Sequence, residues 1–344
     1  RLNSDPTSIF FKKVETDSFV FAGHSRGGAA TRLSAASVPG VAGVILLQAV
    51  TSATAENEST DFPVLAFTAG NDSDLDYPAC EPTEDLLEGE YTWVNLTGGI
   101  HAYTTDTVPA RSEDEPEISR EEQQTTTAFF STAFLHRTFG LNNDWPAKSS
   151  EDILFSHAGS EFVENESLSK MGVFTRWRRT GDSKWVDTFD GTDPDTNLLG
   201  GENEFFGLTA VESATYQPDT NPTSGTYSLS YSLRLIAEST GTYRTEVDDL
   251  LVPSSWALEA RIKGPDSGAN ASAFFITLKL EEARSQRVDA LEFAGPMTLS
   301  NRFTQVHIPM AKFGLSSEDE IEAIEIEISD GELFVDDLRF VSPN

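Results

Sequence analysis

The chain has little positive charge for its length. In 344 residues, 24 Lys and Arg stand against 56 Asp and Glu, which gives a formal net charge of −32. Nucleic acids and anionic membrane surfaces are bound through basic patches, so neither is an expected partner. The chain also lacks any apolar run close to the roughly 20 residues of a membrane-spanning helix. Such an acidic chain is typical of a protein kept soluble in salty or extracellular surroundings.

Cysteine is nearly absent. The single residue, Cys80, excludes an internal disulfide and leaves a buried thiol or a bond to another chain. No signal peptide is visible, although Arg1 does not look like a natural start. N-x-S/T sequons nevertheless favour a secreted, extracellular glycoprotein. They lie at Asn57, Asn71, Asn95, Asn165 and Asn270.

One stretch near the beginning is the most informative, and it reads DSFVFAGHSRGGAATRLSAAS. A short apolar run, Phe19–Ala22, precedes a Gly-His-Ser-Arg-Gly turn, and an alanine-rich run that favours a helix follows. Strand, G-x-S-x-G turn and helix together predict a nucleophile elbow with Ser25 as the nucleophile. The amide of Arg26, where the helix opens, is then placed to bind a developing oxyanion. We expect Gly23 and Gly27 to let the strand and helix backbones pass closely.

Apolar segments alternate with helical patterns over residues 1–150. Such alternation predicts a parallel sheet of an α/β domain. A capping box at Ser119 and Glu122, and Gly140 at the other end, bound the last helix. The predicted strands are Phe19–Ala22, Val41–Val50, Val64–Phe67 and Tyr91–Leu96, and the predicted helices are Ala29–Ser37, Glu81–Glu88 and Arg120–Phe139.

The pattern changes in the second half of the chain. Residues 151–180 are polar and irregular, which indicates a linker or the edge of the first domain. Residues 181–344 show apolar residues at every second position, as in Ile324, Ile326 and Ile328. Such strands, joined by turns rich in Gly and Pro, predict an antiparallel β-sandwich.

A serine nucleophile needs a general base, and the chain has five histidines. His24 lies inside the elbow, where its ring cannot readily serve its own neighbour. His136 lies on the long helix, and His157 and His307 lie in or beyond the linker. His101, in a glycine-flanked loop after the fourth strand, is therefore the predicted base.

The acid that orients the base is expected in the loop after the third strand. This loop reads Gly-Asn-Asp-Ser-Asp-Leu-Asp from Gly70. Asp72 is favoured because it follows the strand in a G-x-D step. Asp74 is the first alternative and Asp76 the second. No cofactor is expected, because no G-x-G-x-x-G turn follows a strand.

Residues 17–140 resemble α/β-hydrolases that carry a GHSRGG elbow, as chlorophyllases do, and are similar to dienelactone-hydrolase-like and polyester-hydrolase-like enzymes. The likeness is strongest to large, acidic, secreted members in which a β-sandwich follows the hydrolase. This resemblance implies an ester hydrolase with Ser25 as nucleophile, Asp72 as acid and His101 as base.

One departure from that family concerns the beginning of the domain. Only 24 residues precede Ser25, whereas these hydrolases build several strands before the elbow. Strand Phe19–Ala22 would then be an apolar edge, which soluble proteins avoid. We therefore expect the missing N-terminal half, or another chain, to associate along this strand.

The C-terminal segment resembles jelly-roll modules of the carbohydrate-binding kind. This resemblance allows a structural calcium ion at Asp190 or Asp336. Trp177, Trp185 and Tyr243 could stack on sugar, but core positions explain them as well.

The sequence thus predicts a partial α/β-hydrolase domain (1–150), a linker or edge segment (151–180) and a jelly-roll β-sandwich (181–344). The predicted function is a serine carboxylic-ester hydrolase. The alternative is a non-catalytic extracellular component, structural or glycan-binding, built on a hydrolase fold.

Overall fold

The computed structural model divides into two units. The first comprises residues 1–155 and 168–171, and the second comprises residues 156–167 and 172–344. The structure describes residues 5–9, 12, 17–49, 62–74, 89–106, 109–110, 114–141, 149–189, 195–214, 231–265, 269–281, 283–295, 303–316 and 319–343.

The first unit contains the predicted parallel sheet. Its strands follow the chain in the order β1-β2-β3-β4, and each pairs in parallel with the next. Every residue of β4 is buried, as expected for a parallel strand covered on both faces. All four predicted strands are confirmed, the first three with shifted C-terminal ends and the fourth with the predicted bounds. Their bounds are β1 Phe19–His24, β2 Val41–Leu47, β3 Val64–Ala69 and β4 Tyr91–Leu96.

Helices cover this sheet. The predicted capping box is confirmed, since the Ser119 hydroxyl accepts from the Glu122 amide and the Glu122 carboxylate accepts from the Ser119 amide. The second helix packs its aromatic face on the sheet, with Phe130 edge-on to Phe67 at 6.5 Å between ring centroids. The predicted helix at 81–88 lies outside the described residues. The helices are α1 Arg26–Ala35, α2 Arg120–Thr138 and α3 Ser150–Phe155.

Strand β1 stands at one end of the strand order. Among the described strands it pairs only with β2. Phe19, Val20 and Phe21 are half-buried, and Ala22 is exposed. The predicted association along this strand stays a prediction.

The second unit is an antiparallel β-sandwich that begins with helix α4, Ala158–Asn165. None of the described helices in the chain is long and apolar enough to cross a membrane. Strand β5, Val173–Arg178, follows α4 and is not part of the antiparallel sheet. The strands of the sandwich are β6 Ser183–Asp187, β7 Asn203–Phe206, β8 Thr209–Ala214, β9 Tyr231–Leu251, β10 Ala257–Lys263, β11 Ala273–Lys279, β12 Val288–Asp289, β13 Thr304–Pro309 and β14 Glu320–Val341.

Strand β14 organises the sandwich. Its first half pairs with β11 and its second half with β10, while β9 pairs along both halves. The halves meet near Gly331, whose φ is +137° and where a Cβ would lie 2.3 Å from the carbonyl oxygen of Asn270. Only glycine fits there, because the neighbouring backbone occupies the space of a side chain. The inward isoleucines Ile324, Ile326 and Ile328 are fully buried in the core, as their alternation predicts.

The segment predicted as a linker or an edge, 151–180, contains most of α3, all of α4 and β5. The three domain boundaries stay a prediction. Trp177 and Tyr243 are buried in the structure, so their rings are core residues.

Candidate active site

Ser25 lies at the turn between β1 and α1 in a strained backbone conformation. Its φ is 56° and its ψ is −129°, a combination that costs a non-glycine residue about 1–3 kcal/mol. The Ser25 amide donates to the carbonyl oxygen of Leu47, 3.0 Å away at the end of β2. The sharp turn predicted for a nucleophile elbow is therefore present, and it is tied to the neighbouring strand.

Glycine is required at one of the two positions predicted for close backbone approach. A Cβ at Gly23 would lie 2.5 Å from the carbonyl oxygen of Gly27. A Cβ at Gly27 would meet no heavy atom within 4 Å, so the prediction for Gly27 is wrong. Gly28 is the second tight position, because a Cβ there would lie 2.5 Å from the Ala49 Cβ. The helix approaches the strand with Gly28, and Gly27 faces open space.

The N-terminus of α1 does not use the Ser25 hydroxyl as a cap. Helix α1 begins at Arg26, and amides in a first turn have no acceptor within their own helix. Ser25 is the N-cap residue, yet its side chain makes no capping hydrogen bond. The hydroxyl is thus not used as a cap by the helix. The role of the Arg26 amide as an oxyanion donor stays a prediction.

His101 and Asp72 form a buried pair at the ends of β4 and β3. The His101 Nδ1 lies 2.7 Å from the Asp72 Oδ2, and the two side chains are 10% and 2% exposed. Backbone hydrogen bonds hold the two loops together. The Gly70 amide donates to the Leu96 carbonyl (2.9 Å) and the Asn71 amide to the Gly99 carbonyl (2.8 Å).

The three acidic candidates occupy different places. The two carboxylate oxygens of Asp72 have different partners. Oδ2 contacts the His101 Nδ1, and Oδ1 accepts from the Asp74 amide at 2.8 Å. The Asp74 carboxylate lies on the other side of the same ring, 3.6 Å from the His101 Nε2. Asp76 lies outside the described residues. The geometry therefore pairs Asp72 with the nitrogen that a triad acid occupies.

His24 packs its ring against His101, with the centroids 4.5 Å apart. Burial lowers the pKa of His24, and the neighbouring His101 lowers it further. Among the described residues, the Ser25 hydroxyl makes no hydrogen bond to the His101 ring. Nucleophile–base hydrogen bonds are often long in ligand-free enzymes and shorten when substrate binds.

Two of the other histidines lie in the second unit and are already engaged. His157 Nε2 lies 2.7 Å from the Gln305 carbonyl oxygen, and burial lowers the pKa of His157 to about 4. His307 Nδ1 lies 2.8 Å from the Glu259 Oε1. Both histidines therefore have structural partners in the sandwich.

Gln123 holds the loop of His101 in place, a role that the sequence did not reveal. This residue is fully buried on α2. Its Oε1 accepts from the Ile100 amide at 3.0 Å, and its Nε2 donates to the Ile100 carbonyl at 2.9 Å. Gly99 leaves room for the contact, since a Cβ there would lie 2.7 Å from the Gln123 Oε1. The position of the histidine thus depends on a helix that begins 19 residues later in the chain.

Replacing Gln123 by alanine should destabilise the first unit and displace His101. The buried Ile100 amide would lose its acceptor, at about 1–3 kcal/mol. The Ile100 carbonyl would keep only the longer hydrogen bond from the Tyr103 amide, at 3.3 Å. We expect the free energy of unfolding, measured in urea, to fall by about 2–4 kcal/mol. The control is Gln124→Ala, whose hydrogen bonds to Tyr103 and Asp106 are more exposed. Equal losses in both variants would contradict the assigned role.

The described residues contain no group of three or more His, Cys, Asp or Glu side chains that could hold a metal ion. Asp336 is buried in β14, and its Oδ1 accepts from the Asp337 amide at 2.9 Å. Asp190 lies outside the described residues. The predicted calcium site stays untested.

Residues 2–125 match the model of the alpha/beta hydrolase family. This match agrees with the parallel sheet and elbow of the first unit, and it supports a hydrolase in general. No curated protein matches the chain.

Solved structures with a likeness to this chain include carbohydrate-binding modules. One is the family 11 module of a Clostridium thermocellum cellulase, at 11% identity and TM-score 0.31, covering 48% of this chain and 96% of that one. A xylan-binding domain from Paenibacillus barcinonensis matches at 11% identity and TM-score 0.33, covering 48% and 99%. A beta-1,2-glucanase from Parabacteroides distasonis matches at 14% identity and TM-score 0.31, covering 46% of this chain but only 25% of its own. These likenesses carry no conclusion about a ligand.

Proposed function

We propose that the first unit is a serine hydrolase of carboxylic esters. The single observation that supports it most is the buried His101–Asp72 pair, 2.7 Å apart, in a unit whose elbow serine has a strained backbone. The ring of His24, the residue before Ser25, lies 4.5 Å from the His101 ring, which brings the elbow and the pair into one site.

The reaction would proceed through an acyl-enzyme. The Ser25 Oγ attacks the ester carbonyl carbon while the His101 Nε2 takes the hydroxyl proton. Asp72 accepts from Nδ1–H, which keeps the ring in the tautomer with a free Nε2. The Arg26 amide donates to the oxyanion, and the alcohol leaves with the proton from Nε2. A water molecule then releases the acid by the same steps.

The subtype and the location of the enzyme are part of the same proposal. The GHSRGG turn supports a relationship to secreted esterases of the chlorophyllase and dienelactone-hydrolase type. The net charge of −32 and the sequons support an extracellular protein.

A fluorophosphonate probe tests the reaction class, because it reacts only with an activated serine. We expect the full chain to be labelled, and peptide mass spectrometry to place the adduct on Ser25. The variant Ser25→Ala should remain unlabelled. An unlabelled wild-type chain, or an adduct on another serine, would refute the proposal.

A second candidate function, binding of a neutral glycan, is supported by a groove in the second unit. The groove has a volume of about 520 Å³ on the outward face of β9, β11 and β14. Its arginines are already paired with carboxylates, for example Arg284 with Glu325 at 3.0 Å. The groove therefore offers hydrogen-bond donors and acceptors that ion pairs hold in place, and such groups suit sugar hydroxyls. Phe206, 53% exposed, adds an apolar ring. The lining residues are Phe206, Thr242, Arg244, Thr277, Lys279, Arg284, Ser285, Arg287, Glu325 and Glu327.

Calorimetric titration of the full chain with cellohexaose and xylohexaose tests this second candidate. We expect one of them to bind, and Phe206→Ala to weaken the affinity about tenfold through the loss of ring contact. The control is Leu198→Ala, since Leu198 is 59% exposed in the same unit but does not line the groove. No binding, or equal effects of the two variants, would refute it.

A further inference from the structure

Both nitrogens of the His101 ring face carboxylates. Nδ1 lies 2.7 Å from Asp72, as a triad requires. Nε2, the nitrogen that must take the proton of Ser25, lies 3.6 Å from the Asp74 Oδ2. A distance of 3.6 Å is too long for a hydrogen bond but lies within the range of an ion pair with a protonated ring.

The backbone of Asp74 is hydrogen-bonded to Asp72, the acid of the pair. The Asp74 amide donates to the Asp72 Oδ1 at 2.8 Å, which forms a turn two residues long. The neighbouring Ser73 hydroxyl donates to the Asp114 Oδ1 at 2.6 Å and anchors the loop from the other side. The loop thus presents a second carboxylate to the ring whatever the charge of the Asp74 side chain.

Among the described residues, Asp72, Asp74 and His24 contact the His101 ring. Arg120, on α2, is hydrogen-bonded to the carbonyls of Ala102 and Thr105 in the same turn. Burial lowers the pKa of His24, so this neighbour remains neutral where an ordinary histidine begins to protonate. Among the described residues, a protonated His101 therefore meets a carboxylate at each ring nitrogen, beside a neutral His24 ring.

We propose that Asp74 is a positioning residue that holds the protonated ring of His101 away from Ser25 and sets the acid limit of the hydrolase reaction. This inference rests on the proposed function of the first unit. It assigns Asp74 a role distinct from that of Asp72, which orients the ring in its neutral form.

The two charge states of His101 explain why Asp74 attracts only the protonated ring. The protonated ring donates Nδ1–H to Asp72 and directs Nε2–H toward Asp74, so no lone pair remains for the Ser25 proton. When the ring loses its Nε2 proton to solvent, the nitrogen presents a lone pair to the carboxylate and their attraction is lost. The Asp74 side chain is 35% exposed, so water can solvate its carboxylate while Nε2 accepts from Ser25.

The test is the rate of fluorophosphonate labelling of Ser25 between pH 4 and 9, in the wild-type chain and in Asp74→Asn. We expect the acid limb of the variant to move about 0.5–1 pH unit lower, because one of the two attractive charges is gone and the lost carboxylate is partly screened by solvent. Raising the salt concentration should move the wild-type limb in the same direction and move the variant limb less.

Two controls separate this role from a general change in charge. Asp74→Glu keeps the carboxylate and should restore most of the wild-type profile. Asp106→Asn removes a carboxylate of the same unit that does not face the ring, and should leave the limb unchanged. An unmoved limb in a labelled Asp74→Asn chain, or an equal shift in Asp106→Asn, would overturn the inference and leave the proposed function intact.

Absence of labelling in the wild-type chain at every pH would instead refute the proposed function, and this inference with it. If Asp74→Asn does not fold, the salt dependence of the wild-type limb decides. A limb that does not move with salt would overturn the role of Asp74.

Discussion

Replacing Ser25 by alanine is expected to lower kcat/KM for p-nitrophenyl acetate by about 10⁵–10⁶. The acyl-enzyme cannot form without the Oγ, and the remaining rate comes from binding and the oxyanion donor. His101→Ala should cost about the same, since the hydroxyl is not activated without the base. The double variant should be no slower than either single one, because the two groups act as one unit.

Asp72→Asn should lower kcat/KM by about 10⁴, because the amide can donate to Nδ1 and favours the wrong tautomer of His101. Asp74→Asn is the matched variant in the same loop, and it should lower the plateau rate by less than about tenfold. Initial rates at the pH optimum, with folding checked by circular dichroism, give the comparison. A larger loss in Asp74→Asn than in Asp72→Asn would assign the acid to Asp74.

Gly23→Ala should abolish the elbow. Its Cβ would lie 2.5 Å from the Gly27 carbonyl oxygen and 2.4 Å from the Thr31 Oγ1, and the first of these atoms is backbone of the same turn. The strand and helix must then separate, which we expect to cost about 3 kcal/mol or more and to remove fluorophosphonate labelling. Thermal unfolding and labelling measure the two effects.

Gly27→Ala is the control for this prediction. Gly27 is exposed on α1, and an added Cβ meets nothing within 4 Å. Alanine in a helix should stabilise the unit by about 0.5–1 kcal/mol and leave labelling unchanged. Equal damage from both substitutions would contradict the close approach that the structure assigns to Gly23.

The sequence was sufficient for features that local patterns encode. The elbow was predictable because strand, turn and helix are contiguous, and because the turn allows one residue type at Gly23. The parallel strands, the capping box of α2 and the alternation of Ile324 to Ile328 were predictable for the same reason, since each depends on neighbouring residues alone.

Other features depended on contacts between distant segments. The choice of Gly28 over Gly27 follows from Ala49, which lies two residues beyond the end of β2. In the sequence, β14 looks like two separate strands. In the structure it is one long strand, because it pairs with β9 along both halves.

The sequence by itself determined an α/β unit with an elbow serine, a later histidine and an acidic loop between them. Only the tertiary structure decided which carboxylate meets which nitrogen of His101. That choice depends on backbone hydrogen bonds between the loops after β3 and β4, and on the buried amide of Gln123. Three aspartates at alternate positions look alike in a sequence, whereas in the fold a shift of two residues moves a carboxylate from one side of the ring to the other.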